Sequence, residues 1–104
     1  MVAKPEKNQP KLRMGVIGLG GAARQMIPAF AKHPHMEITA AADVDLDALE
    51  RFQRDYAVET YTSAEEMCKS SKVDAVYIAT PNQFHTEHVM AALSQRKHVL
   101  CEKP

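Results

Sequence analysis

Residues 12–23 read LRMGVIGLGGAA. Residues 12–18 are a short run rich in apolar side chains that closes on glycine, the pattern of a buried strand. Gly18-Leu19-Gly20-Gly21-Ala22-Ala23 then matches G-x-G-x-x-A, and Ala22, Met26 and Phe30, spaced four apart, predict a helix opening directly behind it. Each small residue in this turn has a physical reason. Gly18 permits a tight exit from the strand. Gly20 lacks a Cβ and leaves the main chain open to a pyrophosphate, and Ala23 lets helix and sheet pack closely. With Gly21 and Ala22 they form the start of a helix, where unpaired N–H groups and a partial positive charge suit a phosphate.

Outward from that turn the chain alternates between two periods. Pro28 lies inside the predicted helix and is expected to bend it, and Pro34 marks its exit. Residues 36–43 (MEITAAAD) predict a second strand. Asp45 can cap a helix whose apolar face is Leu46, Leu49, Phe52 or Gln53, and Tyr56. Residues 60–62 predict a short third strand. Ser63-Ala64-Glu65-Glu66 fits a capping box, with Met67 and Cys68 facing inward from the short helix that follows. Residues 73–80 (VDAVYIAT) are the most strand-like run in the chain. Pro81 and Asn82 break it, and Phe84, His88, Val89, Ala92 and Leu93 then form a helical stripe. Residues 98–101 (HVLC) predict the last strand. Strands separated by helices cannot pair as hairpins. The order β-α-β-α-β-α-β-α-β therefore predicts an α/β fold, a doubly wound parallel sheet with helices on both faces.

Composition bounds what such a fold can do. The chain has 104 residues, enough for one sizeable core, with 45% hydrophobic and 25% charged residues. These proportions exclude a disordered or collagen-like chain. Thirteen Lys+Arg balance thirteen Asp+Glu, which argues against a nucleic-acid or anionic-membrane partner. Two cysteines, Cys68 and Cys101, are too few for a disulfide scaffold or a structural zinc site. Residues 1–11 (MVAKPEKNQPK) read as a flexible polar leader without an export signal, so a cytoplasmic location with reduced cysteines is expected.

Outside the glycine turn, Asp43 ends the second strand, where a carboxylate can accept both adenosine ribose hydroxyls and repel a 2′-phosphate. That favours NAD over NADP. Asp43 can equally serve as a capping acid, a role for which Asp45 competes. Arg51 and Arg54 on the following helix leave a fold-back toward a 2′-phosphate open. His85 and His88, three apart, resemble a metal pair, but two histidines without further nearby ligands predict no metal site. His88 is expected to be packed, and His33 and His35 to lie in a loop.

At VIGLGGAAR, AADVD, VDAVYIATPNQFH and KHVLCEKP, in that order and spacing, the chain resembles the N-terminal dinucleotide-binding domain of the glucose-fructose oxidoreductase/inositol dehydrogenase (Gfo/Idh/MocA) family. The resemblance covers residues 12–104. It implies a Rossmann-type sheet of about five strands in the order 3-2-1-4-5, and an NAD(P)-dependent oxidoreductase acting on a carbon–oxygen bond of a sugar, cyclitol or similar small molecule. By position, it implies that Gly18 and Gly20 hold the pyrophosphate turn and Asp43 the ribose. Thr80, Pro81, Asn82 and His85 would flank the pyrophosphate and nicotinamide side, Glu102 the nicotinamide ribose, and Lys103 would be the catalytic lysine of Glu-Lys-Pro, with Pro104 often cis. A nearby ammonium stabilises a developing alkoxide and relays its proton, which is the chemistry hydride removal from an alcohol needs.

The family places a substrate domain after this motif. The resemblance thus implies a cofactor domain without its substrate domain, binding cofactor without turnover, in a protein expected to be a homo-oligomer. The fifth strand then becomes an open edge, which predicts self-association or a frayed C-terminus. A non-catalytic dinucleotide-binding sensor or regulatory module, and a purely structural domain, are the competing readings; an intact Glu-Lys-Pro favours the enzyme. The chain also departs from the family at Ser94-Gln95-Arg96-Lys97, where a glycine usually ends the helix. Either Arg96 adopts a left-handed conformation or the helix ends differently.

Overall fold

A computed structural model of the chain describes residues 10–101. The elements run β1 (Leu12–Ile17), α1 (Gly21–Lys32), β2 (Met36–Ala42), α2 (Leu46–Asp55), β3 (Glu59–Tyr61), α3 (Ala64–Cys68), β4 (Ala75–Ile78), a 3-10 turn (Asn82–Phe84), α4 (His85–Ser94) and β5 (His98–Cys101). Every strand pair is parallel, in the order β3-β2-β1-β4-β5. This is the doubly wound sheet that the alternation of periods predicts.

The pleat sorts the core into two layers. Met14, Val16, Ala75 and Tyr77 point to one face, where α1 and α2 bring Ala23, Ile27, Phe30, Leu49 and Phe52. Ile17, Val76 and Ile78 point to the other, where α3 and α4 bring Ala64, Met67, Cys68 and Ala92. Phe30 and Tyr77 meet edge to face, ring centroids 5.1 Å apart. Register slips between Met14 and Gly15, so Gly15 pairs with Ala40 and Thr39 is skipped. That bulge explains why Ile38 and Ala41, three apart, serve the same layer. The freed Thr39 hydroxyl donates to the Lys72 carbonyl at 2.7 Å. At the sheet's N-terminal end, Arg13 grips Asp74 with two guanidinium hydrogen bonds of 3.0 and 2.9 Å. That contact and the Arg13 N–H hold the Asp74 carboxyl below its usual range.

Several elements differ in detail from the sequence reading. The first four strands begin or end differently from the predicted runs, because each pairs only where a neighbour runs alongside. The buried stripe of α1 is Ala23, Ile27 and Phe30 rather than Ala22, Met26 and Phe30; Ala22 is exposed. Helix α1 continues through Pro28, which lies on its exposed side. Leu46 at the start of α2 and Leu93 and Phe84 around α4 are exposed, so the helical stripes there are narrower than read. Ser63 caps α3 by accepting from the Glu66 N–H at 3.3 Å, while the Glu66 carboxylate turns to Lys69. The predicted capping box is thus realised on the Ser63 side.

Helix α4 ends without glycine. The Lys97 N–H reaches the Ala92 carbonyl at 3.0 Å and the Arg96 N–H the Leu93 carbonyl at 2.9 Å, the paired bonds of a Schellman motif. Arg96 accordingly sits at φ 60. Lys97 then donates its ammonium to the Ser70 and Val73 carbonyls at 2.8 and 2.6 Å, tying the helix end to the loop before β4. A side chain in the left-handed region costs about 1–2 kcal/mol, partly offset by the greater freedom of an unfolded glycine. Arg96→Gly is therefore expected to stabilise the chain by up to about 1 kcal/mol. Thermal melts would show a raised midpoint; a lowered one would overturn the motif's strain.

Candidate functional site

The loops leaving the C-terminal ends of β1, β2, β3 and β4 gather at one edge of the sheet, and main-chain bonds tie them together. The Gly18 N–H donates to Ala42 at 2.9 Å, Ala79 to Ile17 at 2.9 Å and Asp43 to Tyr61 at 3.1 Å. Gly18 has φ +90, and a Cβ there would lie 2.9 Å from Thr80 Cγ2 and 3.1 Å from the main chain of Ala79 and Thr80. Both the turn and the β4 loop's approach thus require glycine. Gly20 and Gly21 differ: a Cβ on either would meet nothing within 4 Å. They front open space at the start of α1, where no side chain caps the helix and no acidic residue occupies the first turn. An uncapped N-terminus of this kind offers its N–H groups to an anion. Ala22 is exposed beside them, and Ala23 is fully buried against the sheet.

Asp43 is half-buried, and its two oxygens are engaged on different loops. Oδ2 accepts from the Leu19 N–H at 2.8 Å and Oδ1 from the Asp45 N–H at 2.9 Å. Asp45 performs the capping, accepting from Asp47 and Ala48 at 3.0 and 3.3 Å. The two acids that compete in the sequence are thereby separated: one caps α2, and the other bolts the glycine turn to the loop after β2. Each Asp43 oxygen keeps further lone pairs for an outside donor.

After β4, Pro81 and Asn82 are exposed at the 3-10 turn. Thr80 collects both histidines of α4. Its hydroxyl lies 2.9 Å from His88 Nδ1, and its carbonyl accepts from His85 Nε2. The remaining His85 nitrogen, Nδ1, lies 3.3 Å from Cys101 Sγ. Among the described residues no group of three or more His, Cys, Asp or Glu is placed to hold a metal ion.

These loops enclose a cleft of ≈ 640 Å³ that brings Gly18, Gly20, Asp43, Thr80 and Pro81 together. Gly21, Ala22, Ala23, Asn82 and His85 stand beside it rather than in its wall. Glu102 and Lys103, and the rest of the Glu-Lys-Pro motif, lie outside the described residues. The wall also contains Glu65, Glu87 and His88, which the sequence reading did not assign to the site. Hydrogen bonding to its own N–H holds the Glu65 carboxyl below its usual range despite partial desolvation, and the Ser63 hydroxyl, Glu87 and His88 add to the effect. The available signal was positional: Glu65 and Glu87 follow the C-terminal ends of β3 and β4, where an open α/β sheet presents its ligands. Among the described residues, Asp43, Glu65 and Glu87 give this wall three carboxylates and no lysine or arginine. Arg54 instead pairs with Glu50 at 2.9 Å, and Arg51 is exposed outside the cleft. No helix among the described residues is long and apolar enough to cross a membrane.

The family model described as an oxidoreductase family with an NAD-binding Rossmann fold matches residues 12–104. A curated relative, the 1-carboxy-3-chloro-3,4-dihydroxycyclo hexa-1,5-diene dehydrogenase of Comamonas testosteroni, is 43% identical over 94 residues, covering 89% of this chain and 24% of its own length. The crystal structure of scyllo-inositol dehydrogenase from Lactobacillus casei with bound NAD(H) and scyllo-inositol superposes with a TM-score of 0.86 at 30% identity, over 90% of this chain and 28% of that one. A 3-ketoreductase from Actinomadura kijaniata, in complex with NADP and TDP-benzene, superposes with a TM-score of 0.85 at 36% identity, over 92% of this chain and 30% of that one. The chain thus spans less than a third of the length of each.

The bolt at Asp43 is open to direct test. Asp43→Ala leaves the Leu19 and Asp45 N–H groups without their acceptor, and Asp43→Asn turns an amide donor toward one of them. Each is expected to lower stability by about 1–3 kcal/mol. Urea denaturation would measure it, and an unchanged midpoint in both variants would show that the carboxylate does not hold the turn.

Proposed function

The chain belongs to the Gfo/Idh/MocA family of oxidoreductases with an NAD-binding Rossmann fold, and from that premise we propose that it forms the cofactor site of an enzyme moving a hydride between a nicotinamide dinucleotide and an alcohol or carbonyl carbon of a sugar, cyclitol or similar small molecule. The observation that carries this reading is the pairing of Gly18 with Gly20. One is locked against the β4 loop in a left-handed conformation, and the other faces open space at an uncapped helix start. That combination suits a pyrophosphate resting on main-chain N–H groups.

Within this proposal each residue has a task. The amides at the start of α1 hold the pyrophosphate. Asp43, already fixed by two backbone donors, uses its remaining lone pairs for the adenosine ribose hydroxyls. Thr80, Pro81, Asn82 and His85 border the nicotinamide side, and Glu102 its ribose. When bound, the dinucleotide supplies the hydride acceptor or donor. Lys103 holds the substrate oxygen and moves its proton. NAD is favoured over NADP, because a 2′-phosphate would enter a wall carrying Asp43, Glu65 and Glu87 and, among the described residues, no cation. The two solved relatives hold NAD(H) and NADP respectively, so family membership leaves this choice to the local charges. The 104 residues by themselves are proposed to bind cofactor without turnover. A cytoplasmic location and pairing of copies along the open side of β5 complete the proposal. A non-catalytic dinucleotide sensor is the second reading, and Lys103 distinguishes it.

Calorimetric titration with NAD and NADP separately should give tighter binding for NAD. Gly20→Ala is expected to keep the fold, because its Cβ meets no atom, and to weaken NAD binding at least about tenfold, since the methyl occupies the ground the pyrophosphate needs. Equal affinity in the variant would remove the pyrophosphate from this turn. In a protein that carries the substrate-binding region as well, Lys103→Ala should lower turnover by about 10²–10⁴-fold. Full turnover in that variant would end the catalytic assignment.

A further inference from the structure

The end of β5 places a nucleophile against a base, and the proposed cofactor chemistry does not use this contact. Cys101 Sγ lies 3.3 Å from His85 Nδ1. The other ring nitrogen, Nε2, meets the Thr80 carbonyl oxygen. A carbonyl only accepts, so Nε2 carries a proton, and in the neutral ring Nδ1 is the acceptor for the Cys101 S–H. Moving that proton from sulfur to Nδ1 breaks neither contact, because the imidazolium then donates both to Thr80 and to the thiolate. A thiol held by a base that a third group orients is the arrangement that activates a cysteine.

The thiolate–imidazolium pair is neutral as a whole, and the attraction between its adjacent charges favours it. The other titratable groups of α4 lie apart from the pair: His88 meets the Thr80 hydroxyl, and Glu87 meets Glu65, which also feels the charge of His88. From β4, the strand beside Cys101, Ile78 is its register partner and carries no charge. Cys101 is half-exposed. The chain also contains its own reference thiol. Cys68 is fully buried, and desolvation, with the charge of Glu65, pushes it up to about 11.

We propose that Cys101 is a modification site, a thiol activated by His85 and open to oxidation by peroxides. The thiolate attacks one oxygen of hydrogen peroxide and the O–O bond breaks. The departing hydroxide takes the proton from His85 Nδ1 to leave as water. Sulfur is oxidised by two electrons to a sulfenic acid while the peroxide is reduced.

The 104-residue chain is treated with iodoacetamide from pH 5.5 to 9, and alkylation at each cysteine is followed by peptide mass spectrometry. Cys101 is expected to react at least tenfold faster than Cys68 in the folded chain. Its rate profile should be displaced toward acid relative to the same chain unfolded in urea. His85→Gln should return that profile to the unfolded one. Dilute hydrogen peroxide should then produce a sulfenic acid at Cys101 that dimedone captures, and Cys101→Ser should abolish the label. A folded-chain profile equal to the unfolded one, or displaced toward alkali, overturns the proposal, as does a folded His85→Gln variant with an unchanged profile. Comparing the folded and unfolded wild-type chain needs no variant, so misfolding of His85→Gln leaves the test decisive.

Discussion

At Gly18 the central strand stops, and the loop after β4 closes to within contact of a position where no side chain fits. Strand β1 has β2 on one side and β4 on the other, so its exit lies in the middle of the sheet. The main chain there must turn sharply without a Cβ, and the space saved is taken by Thr80 and Ala79. Thr80 in turn receives His85 and His88 from α4. The placement of the β4 loop, the start of α4 and the floor of the cleft therefore follow from one residue's missing side chain.

Much of this was readable along the chain, and the reasons are local. Strands buried on both faces appear as apolar runs, so β4 and the second half of β1 stand out. The glycine turn announces itself because its residues are adjacent. Asp45 could be named as a cap, since a cap bonds to N–H groups two or three residues away. Helix faces were less secure. A spacing of four fits Ala22, Met26 and Phe30 as well as it fits Ala23 and Ile27, and only the sheet beneath decides between them. Long-range convergence left no trace in the sequence. Nothing near Glu65 points to Glu87, and nothing near Lys97 points to the carbonyl of Ser70, 27 residues away. Asp43 is an intermediate case: its position marked it as useful, but its grip on Leu19 appears only when the loops are folded together.

The cleft combines two electrostatic surfaces suited to different parts of the proposed cofactor. At one end, uncapped amides of α1 present partial positive charge, and no described lysine or arginine lines the wall. At the other, carboxylates from the ends of β2 and β3 and from α4 present negative charge. In the proposed reading a diphosphate meets the first and hydroxyl donors the second, so the two charges favour one orientation of the cofactor. Relatives of the same architecture that hold NAD(H) and NADP show that the scaffold tolerates either coenzyme.

The cross-ties among these loops have a thermodynamic consequence. Asp43 joins the glycine turn to the loop after β2, and backbone bonds join β1's exit to β2 and β4. The groove is thus shaped before anything enters it. A ligand arriving there need not freeze several wandering segments, so little association free energy is lost to ordering the receptor. Affinity in such a preorganised groove scales with the quality of the contacts themselves. Cutting a single tie would reintroduce an entropic toll at every encounter, even for a ligand that never touches the severed bond.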